Sequence, residues 1–297
     1  MNRADVVIIG AGPAGIATAI QLKRYGLQAE LLEQEEVGGL LRNAHCVENY
    51  PGFPDGISGP ALVELFRKQL SNAGVKVHFE KVLELNHGNG VFSTSTNRRV
   101  ITSPVVVIAT GTKPKRMVNP PFPNNIEKHL LYEVHPILEI GNKKIAIIGG
   151  GDAAFDYACS LSPRNEVTIL NHGTRAKCIP ILEKRCLKSG KVAYECDVEI
   201  LAIVQTGERV SLTCARNHGR EEFQLEMDYV IAAIGREASL DFVHPDLKES
   251  AEQLRSAHKL YFAGDVNNGM YRQTAISVGD GLRAAMEIYQ HTGNHRP

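Results

Sequence analysis

Asp5-Val6-Val7-Ile8-Ile9-Gly10-Ala11-Gly12-Pro13-Ala14-Gly15-Ile16-Ala17-Thr18-Ala19-Ile20-Gln21-Leu22-Lys23 is the stretch on which the fold turns. Val6 to Ile9 form an unbroken apolar, β-branched run, the pattern of a parallel strand buried on both faces. Gly10, Gly12 and Gly15 follow at once, and residues 16–23 read as a helix. A helix that starts on such a turn aims free backbone N–H groups outward, and its dipole favours an anion there. Gly10 and Gly12 let a pyrophosphate approach the backbone, while Gly15 lets the helix lie close on the strand. Residues 28–33 supply a second strand ending in Glu33, about 20 residues beyond the glycines, where a carboxylate accepts hydrogen bonds from a ribose diol. Strand, glycine turn, helix, strand and terminal acid in this order predict a dinucleotide site of the Rossmann type.

The pattern returns in mid-chain. Residues 144–148, Lys-Ile-Ala-Ile-Ile, run into Gly149-Gly150-Gly151-Asp152-Ala153-Ala154, and residues 166–170 read as the next strand. Val105 to Gly111 and Tyr229 to Gly235 are matching strands that end in glycine turns. Between the two halves, residues 113–116 and the proline-rich Asn119-Pro120-Pro121-Phe122-Pro123 cannot continue regular structure and mark a linker. Lys259 to Asp265 is one more strand, and Thr274 to Tyr289 an amphipathic helix that returns to complete the first half. The expected fold is α/β, with two Rossmann-like three-layer domains, the second inserted in the first. The first takes residues 1–112 and 241–297, the second 113–240. Two such sites in one chain suggest a flavin and a nicotinamide.

Composition narrows the function further. With 33 basic and 33 acidic residues the 297-residue chain has no net charge, so nothing electrostatic points to nucleic acid or an anionic membrane. The N-terminal apolar run is too short to span a bilayer and is broken by glycines and Pro13, so a cytoplasmic protein with no membrane segment is expected. Cys46, Cys159, Cys178, Cys186, Cys196 and Cys214 lack metal-ligand spacing, and no two of them form Cys-x-x-Cys. Reduced thiols and no metal site are expected, with Cys178 and Cys186 a pair that could meet in space.

Several further motifs carry a resemblance. Gly38-Gly39-Leu40, Val47-Glu48-Asn49-Tyr50-Pro51-Gly52-Phe53, Ala109-Thr110-Gly111, Gly149 to Ala154, Ala263-Gly264-Asp265-Val266 and Tyr271-Arg272-Gln273 stand in the order found in low-molecular-weight thioredoxin reductases. The chain resembles that group of two-dinucleotide-binding-domain flavoproteins along nearly its full length. The resemblance implies FAD in the first domain, contacted by Gly10, Gly12, Pro13, Ala14, Gly15, Glu33, Gln34, Gly38, Gly39, Leu40, Asn49, Val82, Ala109, Thr110, Gly111, Asp265, Arg272, Gln273 and Thr274. It implies NADH or NADPH at Gly149, Gly151, Asp152, Ala153 and Ala154, and a homodimer. Arg272 to Thr274 open the last helix, where backbone N–H groups and the dipole suit the anionic edge of a reduced flavin.

Two departures shape the functional expectation. The group carries Cys-x-x-Cys just before the second glycine turn, but counting back without gaps from Gly149 those positions hold Tyr132 and His135. Neither can exchange a disulfide, so the usual thioredoxin relay is not expected. Tyr132 and His135 become the candidate catalytic pair, by stacking on the flavin or donating a proton, with space-filling as the alternative. The second departure is Leu170-Asn171-His172-Gly173-Thr174-Arg175-Ala176, where NADPH-specific members hold paired arginines for the 2′-phosphate. Arg175 and Lys177 can partly replace them, and NADH is favoured. The expected activity is NAD(P)H-dependent flavin reduction, with electrons leaving to ferredoxin, flavodoxin or a small oxidant. The alternative is a non-catalytic or partner-reduced flavoprotein whose second domain does not use nicotinamide.

Overall fold

The computed structural model describes residues 2–122, 124–188, 190–216 and 219–292; Pro123 of the expected linker and residues 293–297 of the expected first domain lie outside them. Its helices are α1 (Pro13–Arg24), α2 (Gly59–Asn72), α3 (Asp152–Leu161), α4 (Pro180–Lys188), α5 (Pro245–Ser256) and α6 (Thr274–His291). The chain divides into two compact units. The first comprises residues 1–42, 47–113 and 237–297, the second residues 43–46 and 114–236, so the second is inserted in the first.

The first unit is built on a parallel sheet in the spatial order Leu260–Phe262, Val105–Ile108, Val6–Ile9, Ala29–Glu33, Val77–Phe79. All four residues of Val6–Ile9 and of Val105–Ile108 are buried, as a central parallel strand demands. Because side chains alternate, Val7, Ile9, Val106 and Ile108 share one face, and there they meet Leu85, Phe92 and Ile101 of a second sheet. That sheet is an antiparallel meander of Val82–Gly88, Val91–Thr96 and Val100–Ser103, with Asn2–Arg3 added in parallel at its edge. The helical layer is anchored by α1 against α6. Thr18 Oγ1 donates to Gly281 O at 3.1 Å, and a Cβ on Gly281 would stand 2.2 Å from Ala14 O. Tyr25 and Tyr289 stack with centroids 4.2 Å apart at the far end of the pair.

The second unit repeats the plan. Its parallel sheet runs Leu130–Leu131, Tyr229–Ala232, Lys144–Ile148, Glu166–Leu170, Val192–Glu195. Ile145, Ile147, Val167 and Ile169 face α3 and α4 through Phe155, Leu161, Leu182 and Cys186. Ala146, Leu170, Val230 and Ala232 face the antiparallel sheet Glu199–Thr206, Arg209–Arg216, Glu221–Met227 through Ile203, Val210, Leu212 and Cys214. Each unit is therefore a helix layer, a parallel sheet and a small antiparallel sheet, the three-layer α/β arrangement expected. The antiparallel layers and the helices α2, α4 and α5 are additions that the sequence reading did not contain. No helix among the described residues is long and apolar enough to cross a membrane.

Candidate functional site

In the first unit, the glycine turn is shaped by contacts that leave no room for side chains. Gly10 adopts φ +102°, and a Cβ there would lie 2.5 Å from Ala109 O; a Cβ on Gly15 would lie 1.9 Å from Gly10 O. Gly12 differs from both: it is the N-cap of α1, and the position of its Cβ opens on empty space. No side chain caps α1 and no acid occupies its first turn, so the orphan N–H groups and the positive end of the dipole remain for an anion. Gly39, at φ +53°, closes on the same turn, its Cβ position 3.3 Å from Gly12 Cα, and Gly38 N–H donates to Ala11 O at 2.8 Å. Glu33 holds the turn from the strand side: its Oε2 accepts Ala11 N–H at 2.8 Å and its Oε1 accepts Glu35 N–H at 3.0 Å.

Residues far apart in sequence converge on this unit. Asn49 Nδ2 donates to Gln273 Oε1 at 2.8 Å, joining two expected contact residues across 224 positions. Gln273 is the N-cap of α6, again without a side-chain cap, and Thr274 begins that helix. Arg272 Nε is buried with no hydrogen-bond partner among the described residues. Asp265 Oδ1 accepts the Ser277 hydroxyl at 3.1 Å, and Thr110 Oγ1 donates to Ser239 O at 2.7 Å beside the Gly111 turn. Asp280, which the sequence reading passed over, accepts Gly264 N–H at 3.2 Å and Asn268 Nδ2 at 2.6 Å, fixing the loop that carries Asp265. Gln34 is exposed beyond Glu33, Leu40 lies in the short helix Gly39–Asn43, and Val82 begins the meander. A cavity of about 580 Å³ opens between Glu35, Glu36, Val37, Arg67 and Phe79, just past the end of the Glu33 strand.

The second turn has the same design with one change. Gly149 takes φ +145°, its Cβ position 2.5 Å from Ala233 O, while Gly151 caps α3 and points into open space. Here Asp152 occupies the first turn and its Oδ1 accepts Ile179 N–H at 2.8 Å. Lys177 N–H donates to Gly150 O at 2.7 Å, so residues 177–179 strap the turn. Asn171 lies against Gly150, where a Cβ would come within 2.5 Å of its amide. Asn171 Nδ2 donates to Arg175 O and Tyr194 OH, holding the strap in place.

Tyr132 and His135 both lie in the second unit, on a loop held by its backbone and its neighbours. The Tyr132 hydroxyl accepts Met117 N–H at 3.1 Å and the Arg116 guanidinium sits 4.6 Å above its ring. His135 N–H donates to Asn43 Oδ1 at 3.0 Å. Between them Glu133 collects three donors: Asn43 Nδ2 at 2.8 Å, Tyr157 OH at 2.9 Å, and Arg236 Nη1. Sequence reasoning missed this cluster because the three donors lie 24 to 103 residues from Glu133. Burial pushes the Tyr157 phenol up, and the Glu133 carboxylate beside it adds to that.

Asp156, one turn from Asp152 on α3, accepts His45 N–H at 2.9 Å. Its carboxyl is pushed up to about 6, chiefly by burial and further by Asp152, against the opposing pull of His45 N–H and Arg185. The folded state thus holds this proton more tightly than the unfolded chain. The resulting stability is fully present below about pH 4 and is lost as pH rises through 6. Asp156→Asn is therefore expected to be more stable than the parent at pH 8 by roughly 2 kcal/mol, the gap closing toward pH 4. Urea unfolding at the two pH values checks this, and a gap independent of pH would count against it.

The cysteines are unbridged among the described residues. Cys186 of α4 meets Cys159 of α3 in the buried core of the second unit, and Cys178, in the segment before α4, is near enough to act on the Cys186 thiol as well.

The family model described as pyridine nucleotide-disulphide oxidoreductase matches residues 4–281. A thioredoxin reductase of Pneumocystis carinii is 30% identical over 312 residues, covering 95% of this chain and 93% of the relative. A 34.2 kDa protein in the rubredoxin operon of Clostridium pasteurianum is 28% identical, covering 97% of each. Among solved structures, Lactococcus lactis thioredoxin reductase in its FR conformation superposes with a TM-score of 0.86 at 26% identity, covering 97% of this chain and 98% of that one. Two glycine turns of one design, each opening a helix in its own three-layer unit, and a family match over nearly all the chain lead to one assignment: the chain belongs to the pyridine nucleotide-disulphide oxidoreductase family.

Proposed function

We propose that the protein is an FAD-dependent NAD(P)H oxidoreductase that works without the dithiol relay and hands electrons to a small acceptor, such as ferredoxin, flavodoxin or a small oxidant. The observation that carries this reading is the pair of N-cap glycines, Gly12 and Gly151, whose Cβ positions alone in their fingerprints open on empty space while their neighbours are packed shut. That is the shape of a backbone cradle for a pyrophosphate, once in each unit. FAD fits the first unit. Gly12 and the uncapped α1 would receive its pyrophosphate, Glu33 its ribose, and the α6 entry at Arg272, Gln273 and Thr274 its ring edge. Asn49, tied to Gln273, keeps that entry in place.

The nicotinamide fits the second unit at Gly149, Gly151, Asp152, Ala153 and Ala154. The strap at residues 177–179 leaves Lys177 next to the turn, and Arg175 is held by its carbonyl to Asn171. When bound, the nicotinamide supplies a hydride and the flavin accepts it and releases electrons onward. With no Cys-x-x-Cys in the chain, protein residues contribute positioning and protons. Tyr132 braces the loop through Met117 and Arg116, and His135 is the residue we assign to proton delivery. The relative from the rubredoxin operon supports a small electron carrier as the acceptor.

Anaerobic mixing of the flavin-loaded protein with NADH or NADPH tests the reading. The flavin's visible absorbance is expected to bleach rapidly with NADH, more slowly with NADPH, and equally well after thiol alkylation. His135→Gln is expected to bleach normally and to slow only turnover with an added acceptor. No bleaching by either nucleotide would replace this reading with the non-catalytic, partner-reduced flavoprotein.

A further inference from the structure

We propose that Cys159 and Cys186 form a thiol–disulfide site inside the second unit, closed by hydrogen peroxide and opened again by dithiols. Cys159 lies on the face of α3 that packs on α4, and Cys186 lies on the facing side of α4. Their thiols are hydrogen-bonded to each other. Both are in the core, Cys159 at 7% and Cys186 at 1% exposure, among Leu161 and Leu182. A disulfide needs two sulfurs brought to about 2.05 Å with the backbones already near. Both sulfurs lie in one buried cluster between two packed helices, which places the pair for such a bond.

The surroundings distinguish this pair from inert core cysteines. Asp156 stands one turn before Cys159 on α3, and Arg185 directly precedes Cys186, so a carboxylate and a guanidinium both act on the Cys159 sulfur. The Cys159 thiol is the more acidic partner, because the hydrogen bond from Cys186 and the charge of Arg185 outweigh burial and Asp156. Cys186 is pushed the other way by that hydrogen bond and by burial. Cys159 is also the more exposed of the two, 7% against 1%, and is thus the attacking sulfur, with Cys186 the resolving one.

The Cys159 thiolate attacks one oxygen of hydrogen peroxide; the O–O bond breaks and the departing hydroxide takes up a proton as water. Cys186 sulfur then attacks the Cys159 sulfenic acid; the S–O bond breaks, and the hydroxyl leaves as a second water with the Cys186 proton. Two thiols have lost two electrons to one peroxide. The probe suits the place, because peroxide is small enough to reach a pair so little exposed. The consequence is mechanical. α3 starts at Gly151, and the segment leading to α4 carries the strap from Lys177 to Gly150 and from Ile179 to Asp152. A bond from α3 to α4 fastens that strap to the turn it covers.

The test is peptide mapping of the full-length protein after graded hydrogen peroxide, alkylation of remaining thiols and trypsin digestion without reductant. Lys177, Lys184 and Arg185 place Cys178 and Cys186 on different tryptic peptides, so the two possible partners of Cys159 are told apart. We expect a Cys159–Cys186 cross-linked peptide in most molecules, lost on treatment with dithiothreitol and lost in Cys159→Ala and Cys186→Ala. Oxidation confined to exposed Cys196, with Cys159 and Cys186 still open to alkylation after unfolding, overturns the proposal. A Cys178–Cys186 or Cys159–Cys178 bond overturns it as well. The wild-type map decides the matter even if both variants fail to fold, and it does so whether or not the protein reduces flavin.

Discussion

Gly12→Ala and Gly15→Ala, three residues apart in one turn, are expected to fail in opposite ways. Gly15→Ala places a methyl 1.9 Å from Gly10 O, a distance no carbon and oxygen can share, so α1 must back away from its strand. Overpacking against backbone costs about 3 kcal/mol, since no side-chain rotation relieves it. Gly12→Ala meets nothing within 4 Å, and Gly12 already has φ −76°, which alanine adopts freely. Its fold is expected to hold to within about 1 kcal/mol, the worth of a poorer N-cap. What it loses is the flavin, because the new methyl fills the space offered to the pyrophosphate. Thermal unfolding of the apoproteins, paired with flavin content of the purified proteins, checks both halves. Apoprotein is needed because bound cofactor adds its own binding free energy to the fold. A Gly12→Ala protein with a full complement of flavin would remove the cradle from the argument.

Glu133→Ala carries the second large effect. The carboxylate accepts from Asn43, Tyr157 and Arg236, whose side chain is 19% exposed beside the 26% exposed Glu133. Deleting it takes the acceptor from three donors at once and removes a carboxylate from beside the Arg236 guanidinium. A fully buried pair broken this way costs about 3–5 kcal/mol. With a quarter of the carboxylate in water, about 2–3 kcal/mol is expected. Glu133→Gln, which keeps an acceptor oxygen, is expected to recover much of that loss. Hydrogen exchange of α3 amides reads the second unit specifically, which global unfolding of a two-unit chain cannot do. Equal exchange in parent and Glu133→Ala would show that the cluster holds nothing together.

The parallel sheets and both glycine turns were legible because each is local. Val6 to Ile9 and Lys144 to Ile148 are continuous apolar runs, and each is followed at once by glycines whose spacing states the turn. The antiparallel layers were harder. Val91–Thr96 alternates in burial, yet beyond Phe92 both of its faces carry serine and threonine, so hydropathy hardly marks the period; Arg209–Arg216 does alternate polar residues with buried Val210, Leu212 and Cys214, a strand signal the sequence reading passed over. α5 escaped because only Leu247 and Leu254 of its twelve residues are buried, leaving a polar segment that reads as loop. The site divided along the same line. Glu33 announced itself by distance from the glycines, whereas Glu133, Tyr157 and Arg236 meet only through the fold. The cysteines show it most simply: Cys159 and Cys186 are 27 residues apart, and only the packing of α3 on α4 brings them into one cluster.

The closure of α1 by α6 sets an order of events during synthesis. The groove on α1 that takes Gly281 and Thr18's acceptor, and the sheet edge that takes Leu260–Phe262, stay open until the ribosome has made residues beyond 260. Residues 114–236, in contrast, hold a complete parallel sheet and its helices with no strand borrowed from later in the chain. The middle of this protein is thus ready to fold while its beginning still waits for its end. The strand that leaves the ribosome first is among the last to be sealed from water.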